Sequence, residues 1–121
     1  MNRQKLFRAV LNSDVARNLT AILVDASYKK VPEIHFVPKR LGLDVFYVNE
    51  KVETLFRTLP KDCKDGIMAR IKLMAGLNID EKDYVSEVYF DFDFDPNVVI
   101  GFSLELDYAQ FGKKIILKLQ S

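Results

Sequence analysis

Apolar positions recur at helical spacing through the first thirty residues: Leu6, Val10 and Leu11, then Val15, Leu19, Ile22, Leu23 and Ala26. The polar triplet Asn12-Ser13-Asp14 splits the pattern. It predicts two helices, the second opened by Ser13 as its N-cap and running to about Tyr28. Pro32 forbids continuation, and Glu33 to Val37 has the alternation and β-branching of a short strand closed by Pro38. After a turn at Lys39-Arg40-Leu41-Gly42, Leu43–Val48 and Val52–Leu59 read as the arms of a hairpin about Asn49-Glu50-Lys51. From Asp62, a candidate cap, Ile67, Ile71, Met74 and Ala75 form a helical stripe that ends near Gly76. Tyr84–Phe94, Val98–Leu106 and Lys114–Leu119 alternate with period two and predict an antiparallel meander.

Helices, a hairpin, a crossing helix and a meander, in that order, predict an α+β domain: a mostly antiparallel sheet with helices packed on it. At 121 residues the chain is expected to be a single domain, 1–121, with residues 1–13 a helical extension at its start. A composition of 49% hydrophobic and 29% charged residues is that of a folded globular chain, which excludes disordered and fibrous classes. Lys and Arg number 18 against 17 acids, so the formal charge of +1 supplies no field that would condense the protein on nucleic acid or anionic lipid. Neither a nucleic-acid partner nor membrane insertion is expected, since no stretch approaches the roughly 18 apolar residues of a span. Met1 leads into Asn-Arg-Gln-Lys without a signal-peptide core, and the single Cys63 forms neither an internal disulfide nor a CxxC knuckle. A cytoplasmic location is the corresponding expectation.

The common catalytic signatures are missing. There is no GxxxxGK[ST], and Gly112-Lys113-Lys114 lacks the run of glycine-permitted backbone N–H groups that cradles phosphates. GxGxxG, GxSxG and HExxH are likewise not found. His35, the sole histidine, has no local nucleophile or orienting acid and reads as a structural hydrogen-bonding residue. Cys63 at a helix start reads as a packing or surface residue rather than an activated thiolate. Asp91, Asp93 and Asp95 alternate with Phe92 and Phe94, the pattern of a strand with carboxylates to solvent and phenylalanines to the core. A calcium loop begun at Asp91 would need glycine and an acid where Pro96 and Phe102 stand. No catalytic, cofactor-binding or metal-binding residue is assigned, and no cofactor is expected.

Three stretches, in order, resemble the N-terminal, PAS-like half of the ATPase core shared by type II secretion and type IV pilus assembly. A helix leads into Pro32-Glu33-Ile34-His35-Phe36-Val37-Pro38, where the family has Ser-Asp-Ile-His-Ile-Glu-Pro. Arg70-Ile71-Lys72-Leu73-Met74-Ala75-Gly76-Leu77-Asn78-Ile79-Asp80-Glu81-Lys82 is similar to a family signature Arg-Ile-Lys-Ile-Met-Ala-Gly-Leu-Asp-Ile-Ala-Glu-Lys and is the most specific of the three. Phe111-Gly112-Lys113-Lys114-Ile115-Ile116-Leu117-Lys118-Leu119 resembles the closing Phe-Gly-Glu-Lys-Ile-Val-Leu-Arg-Leu strand. The resemblance covers about residues 14–120.

The resemblance implies a scaffold without the family's RecA-like P-loop domain and without its nucleotide-facing arginines. Asp44 to Glu50 carries no guanidinium, Asp83 and Tyr89 stand where arginines bracket a family motif, and a later arginine falls near Ser103, with Tyr108 in place of a proline. An acid in place of an arginine beside a triphosphate would repel it. The expected function is a non-enzymatic binding or regulatory module whose partner is a secretion or pilus ATPase or a second copy of itself. Arg70, Lys72, Glu81 and Lys82 are the candidate interface residues. Two alternatives stay open: a PAS-like small-ligand sensor with an aromatic-lined pocket between sheet and helix, and part of a split ATPase completed in trans, with Arg57 or Lys82 standing in for the lost arginines.

Overall fold

Tight turns set the topology. In the computed structural model, which describes residues 4, 13–81 and 83–120, the elements are α1 (Ser13–Tyr28), β1 (Glu33–Lys39), β2 (Gly42–Asn49), β3 (Val52–Pro60), α2 (Lys61–Met74), β4 (Val85–Asp95), β5 (Val98–Ala109) and β6 (Gly112–Leu119). The pairs Lys39↔Gly42, Asn49↔Val52, Asp95↔Val98 and Ala109↔Gly112 each leave a two-residue loop, so β1-β2-β3 and β4-β5-β6 are two three-stranded meanders. Helix α2 carries the chain from one to the other. Antiparallel pairing of β1 with β6 then joins them into one sheet of order β3-β2-β1-β6-β5-β4. The α+β expectation is met. The expected helix over residues 1–13 falls on residues outside the described set, Gln4 and Ser13 excepted, and Gln4 is helical.

The core occupies one face of the sheet. Ile34 and Phe36 of β1, Leu43 and Val45 of β2, Phe102, Leu104 and Leu106 of β5, and Ile115 and Leu117 of β6 are buried against Val15, Leu19, Ile22, Leu23 and Ala26 of α1 and Ile67, Met68 and Ile71 of α2. The helical residues recur every three or four positions, so each helix buries a single stripe. Burying one such Leu or Ile stabilises the fold by about 1.5–3 kcal/mol. Helix α1 is clasped to the sheet at its C-terminal end. The Tyr47 hydroxyl of β2 donates to Asp25 Oδ2 at 2.6 Å, Lys29 Nζ lies 3.1 Å from the same oxygen, and the Tyr47 ring stacks on Phe56 of β3 at 4.3 Å.

Backbone chemistry sets the helix ends. Gly76 at φ +76° allows a Schellman ending to α2, with Gly76 N–H on Leu73 O and Leu77 N–H on Lys72 O. Helix α1 ends in the same hydrogen-bond pattern, but with Lys30 at φ 56° in the glycine position. The start of α2 differs from the sequence reading. Pro60, not Asp62, is the N-cap, no side chain caps the helix, and Asp62 lies in the first turn, where its charge complements the helix dipole. Strand β3 passes straight into the helix there, because a proline at φ −70° suits both.

The β2–β3 turn places Glu50 at φ 50° and Lys51 at φ 69°, a conformation that favours Asn-Gly. Lys51→Gly is expected to raise the melting temperature by about 3–5 °C, equivalent to roughly 1 kcal/mol, and Gly76→Ala to lower it by a similar amount. Thermal denaturation of both variants beside the parent checks this. A second expectation concerns the clasp. Its hydrogen bond from Tyr47, with the Lys29 and Arg57 charges, outweighs desolvation and holds the Asp25 carboxyl below its ordinary 3.8. A depressed carboxyl stabilises the fold fully above its unfolded value, and that contribution is lost as pH falls through the folded one. The stability advantage of the parent over Asp25→Asn is therefore expected to shrink steadily between about pH 5 and pH 2, as read by urea unfolding at each pH.

Candidate functional site

Side chains on the other sheet face receive no helix among the described residues, and the registers arrange them in rows. One row crosses all six strands: Glu53, Val48, Glu33, Lys118, Ser103 and Tyr89. The next runs Leu55, Phe46, His35, Ile116 and Glu105. His35 Nε2 lies 3.0 Å from Glu33 Oε1, the structural contact expected of it. Ile116 is only 7% exposed and Ser103 only 4%. Gln120 Nε2 donates to Ser103 Oγ at 3.3 Å and Thr58 Oγ1 to Asp44 Oδ1 at 2.9 Å.

Tyr89, where the resemblance would put an arginine, and Ser103, near which it would put another, lie on this face, as does Asp44, the first residue of the stretch to Glu50 that carries no guanidinium. Asp44 opposes Val37 and Thr58, and Tyr89 opposes Ser103. The charges around them on the face are the acids Glu33, Glu53, Asp91, Asp93, Glu105 and Asp107 and the cations Lys39, Lys114 and Lys118, so acids outnumber bases. At this density like charges raise the local negative potential, which disfavours a polyphosphate and suits a neutral or basic protein surface. Tyr89, 63% exposed, supplies the kind of aromatic that anchors protein interfaces.

Of the candidate interface residues, Lys72 and Glu81 meet beyond the end of α2. Lys72 Nζ donates to Glu81 O at 3.1 Å, and Glu81 Oε1 accepts from Asp83 N at 3.1 Å. Lys72 and Glu81 are thus brought together, tying the loop after α2 back to the helix, while Ile79 of that loop is buried against Ala69. Arg70 is half-buried and Lys82 lies outside the described residues. Lys72 and Glu81 also border a recess of about 280 Å³ that Lys64, Asp65 and Lys113 line from α2 and the β5–β6 turn. Most of the family-like signature is therefore occupied in ending α2 and seating its loop.

Residues that sequence reasoning weighed for chemistry are dispersed. Burial, with Asp14 and Asp62 nearby, pushes the Cys63 thiol up from its ordinary value and keeps it protonated. Asp91 and Asp93 share the sheet's open side, but a register shift between Asp93 and Asp95 breaks the alternation. Phe92 packs against the core as expected. Phe94 does not: it is 46% exposed, because β4 outruns the core there, and its ring faces α1 instead. With the outer side of α1 it bounds an open groove of about 820 Å³, which the sequence reading missed because its members lie seventy residues apart.

No family model matches the chain. It is similar to the type IV pilus assembly ATPase PilB of Myxococcus xanthus, with 23% identity over 118 residues, 98% of this chain and 21% of that protein. It is also similar to PilB of Acinetobacter baylyi, with 24% identity over 105 residues, 87% of this chain and 18% of that one. The chain thus spans about a fifth of the length of either relative, and its similarity is to a pilus assembly ATPase along almost all of its own length.

Proposed function

We propose that this chain is a non-catalytic binding or regulatory module, related to the N-terminal domain of the secretion and pilus ATPases, that acts by protein–protein contact on such an ATPase or on a second copy of itself. One observation carries the reading. The sheet face that carries no helix among the described residues bears Tyr89 and Ser103 at or near positions where the resemblance would place nucleotide-facing arginines, together with Asp44 from the stretch without a guanidinium, and its remaining charges are mainly carboxylates. Among the described residues this face presents no guanidinium of the kind that neutralises developing phosphoryl charge. It retains an exposed tyrosine beside short polar groups, the composition of a protein contact. The similarity to two pilus assembly ATPases supports the choice of partner class.

The same reading makes the partner a protein and the location cytoplasmic, in keeping with a near-neutral chain in which no described helix is long and apolar enough to cross a membrane. The candidate contacts Arg70, Lys72, Glu81 and Lys82 would form a second patch, at the end of α2.

Light scattering of the protein alone and mixed with a type IV pilus assembly ATPase from the same cell, together with calorimetric titration of ATP, tests the proposal. The expected result is a complex with the ATPase, or a defined homo-oligomer, and no heat on adding ATP. Tyr89→Ala, which removes an exposed side chain, should weaken that association about tenfold without lowering the melting temperature. Saturable ATP binding by the chain alone, or a monomer that associates with no ATPase, would overturn it.

A further inference from the structure

Helix α1 carries a second stripe opposite the one it buries. Asp14, Arg17, Ala21, Val24 and Tyr28 recur every three or four residues on the side turned from Val15, Leu19, Ile22, Leu23 and Ala26 of the core. The open groove of about 820 Å³ runs along this stripe, with Phe94 of β4 on its other side. Its described lining is apolar except for Thr20 and two opposite charges, Arg17 and Asp25. Tyr28, also in the lining, is 89% exposed, which leaves a large aromatic surface in water.

We propose that the groove takes helix α1 of a second copy of this chain, lying antiparallel across a two-fold axis at Ala21. Charge complementarity selects both the occupant and the register. Arg17 and Asp25 stand four residues to either side of Ala21, so an axis there sets each copy's Arg17 against the other copy's Asp25. Asp14 and Tyr28 stand seven to either side, which brings each phenol to the other copy's carboxylate. A parallel pairing would instead oppose Arg17 to Arg17 and Asp25 to Asp25.

Both charges are placed for this exchange. The Arg17 side chain, 2.8 Å from Asp14, is 78% exposed. Asp25 binds Tyr47 and Lys29 through Oδ2, and its Oδ1 faces no partner among the described residues. Ala21, exposed and ending at Cβ, lets the two helix axes approach to about 8 Å. A helix of 16 residues is about 24 Å long, and a contact of that length is smaller than the roughly 1,200 Å² of a stable interface, so the dimer is weak and depends on concentration. The inference rests on the second-copy form of the proposed function and names its contact, on a surface separate from the sheet face that carries Tyr89.

Light scattering of the full chain at rising concentration tests it, with copper-phenanthroline crosslinking of single cysteines in a Cys63→Ala background. The expected result is a mass that climbs toward twice the monomer. Arg17→Glu, which sets an acid against Asp25, should weaken the dimer about tenfold at an unchanged melting temperature. Ala21→Cys, on the axis, should crosslink to a dimer at least about tenfold faster than Leu41→Cys, which is 74% exposed at the β1–β2 turn. A chain that stays monomeric, yet binds the ATPase, would overturn this contact and leave the proposed function standing. Equal crosslinking at the two positions would overturn it too. So would a dimer that Tyr89→Ala dissolves and Arg17→Glu does not, which would put the self-contact on the sheet face.

Discussion

The fold depends on one seam. Two meanders, each held by local two-residue turns, become a single sheet only through the pairing of β1 with β6, at Glu33↔Lys118, Ile34↔Leu117, His35↔Ile116 and Phe36↔Ile115, extended by Leu119 N–H on Pro32 O. These are the most distant strand pairings among the described residues, so they carry the largest loop-closure cost of the sheet. Ile34, Phe36, Ile115 and Leu117 offset that cost because they lie at the centre of the core, beneath both helices. Their neighbours on the opposite face, Glu33, His35, Ile116 and Lys118, form the middle of the surface that carries no helix among the described residues. Core and candidate surface are thus two sides of the same four pairs, and a one-residue slip would exchange them.

Division of the sheet into two faces sets the residues that build the scaffold apart from those the sheet displays. Substitutions among Asp44, Tyr89 and Ser103 alter the open face without entering the core, since strand alternation separates the two sets. The clasp of Tyr47, Asp25 and Lys29 belongs to the other set. Burial raises the Tyr47 phenol well above its ordinary value, Asp25 adding to the shift, so the hydroxyl stays a donor through the whole neutral range. It fixes the orientation of α1, and with it the angle at which the groove meets Phe94.

Much of this architecture was legible from periodicity. Helices α1 and α2 and all six strands fall where the spacing of Leu, Ile, Val and Phe puts them, because each buries one face and the two periods, 3.6 and 2, are distinct. What periodicity missed are its interruptions. The irregularity after Val45 brings Phe56 onto the Tyr47 ring, and the one between Val85 and Val88, with Glu87 at φ 46°, turns both valines toward the core. Neither leaves a residue-type signal, since no glycine marks it. The capping of α2 was misread because Asp62 is a good cap in isolation, whereas the uninterrupted passage from β3 settles the boundary at Pro60. The candidate surfaces were less legible than the fold, since the sequence shows which residues alternate but not which strands become neighbours.

The family-like signature from Arg70 to Glu81 has a physical content that bears on how the similarity should be used. Gly76 is required by the left-handed end of α2, Ile79 by the contact with Ala69, and Lys72 by its bond to Glu81 O. All three serve to stop a helix and return the chain to β4. A stretch whose residues are spent in this way carries strong information about the backbone and little about catalysis, because any protein with this helix-to-strand passage faces the same constraints. On the sheet face that carries no described helix the charges are mainly carboxylates, which give it a negative local potential. The similarity therefore argues for the scaffold, whose two faces the alternation along each strand keeps separate.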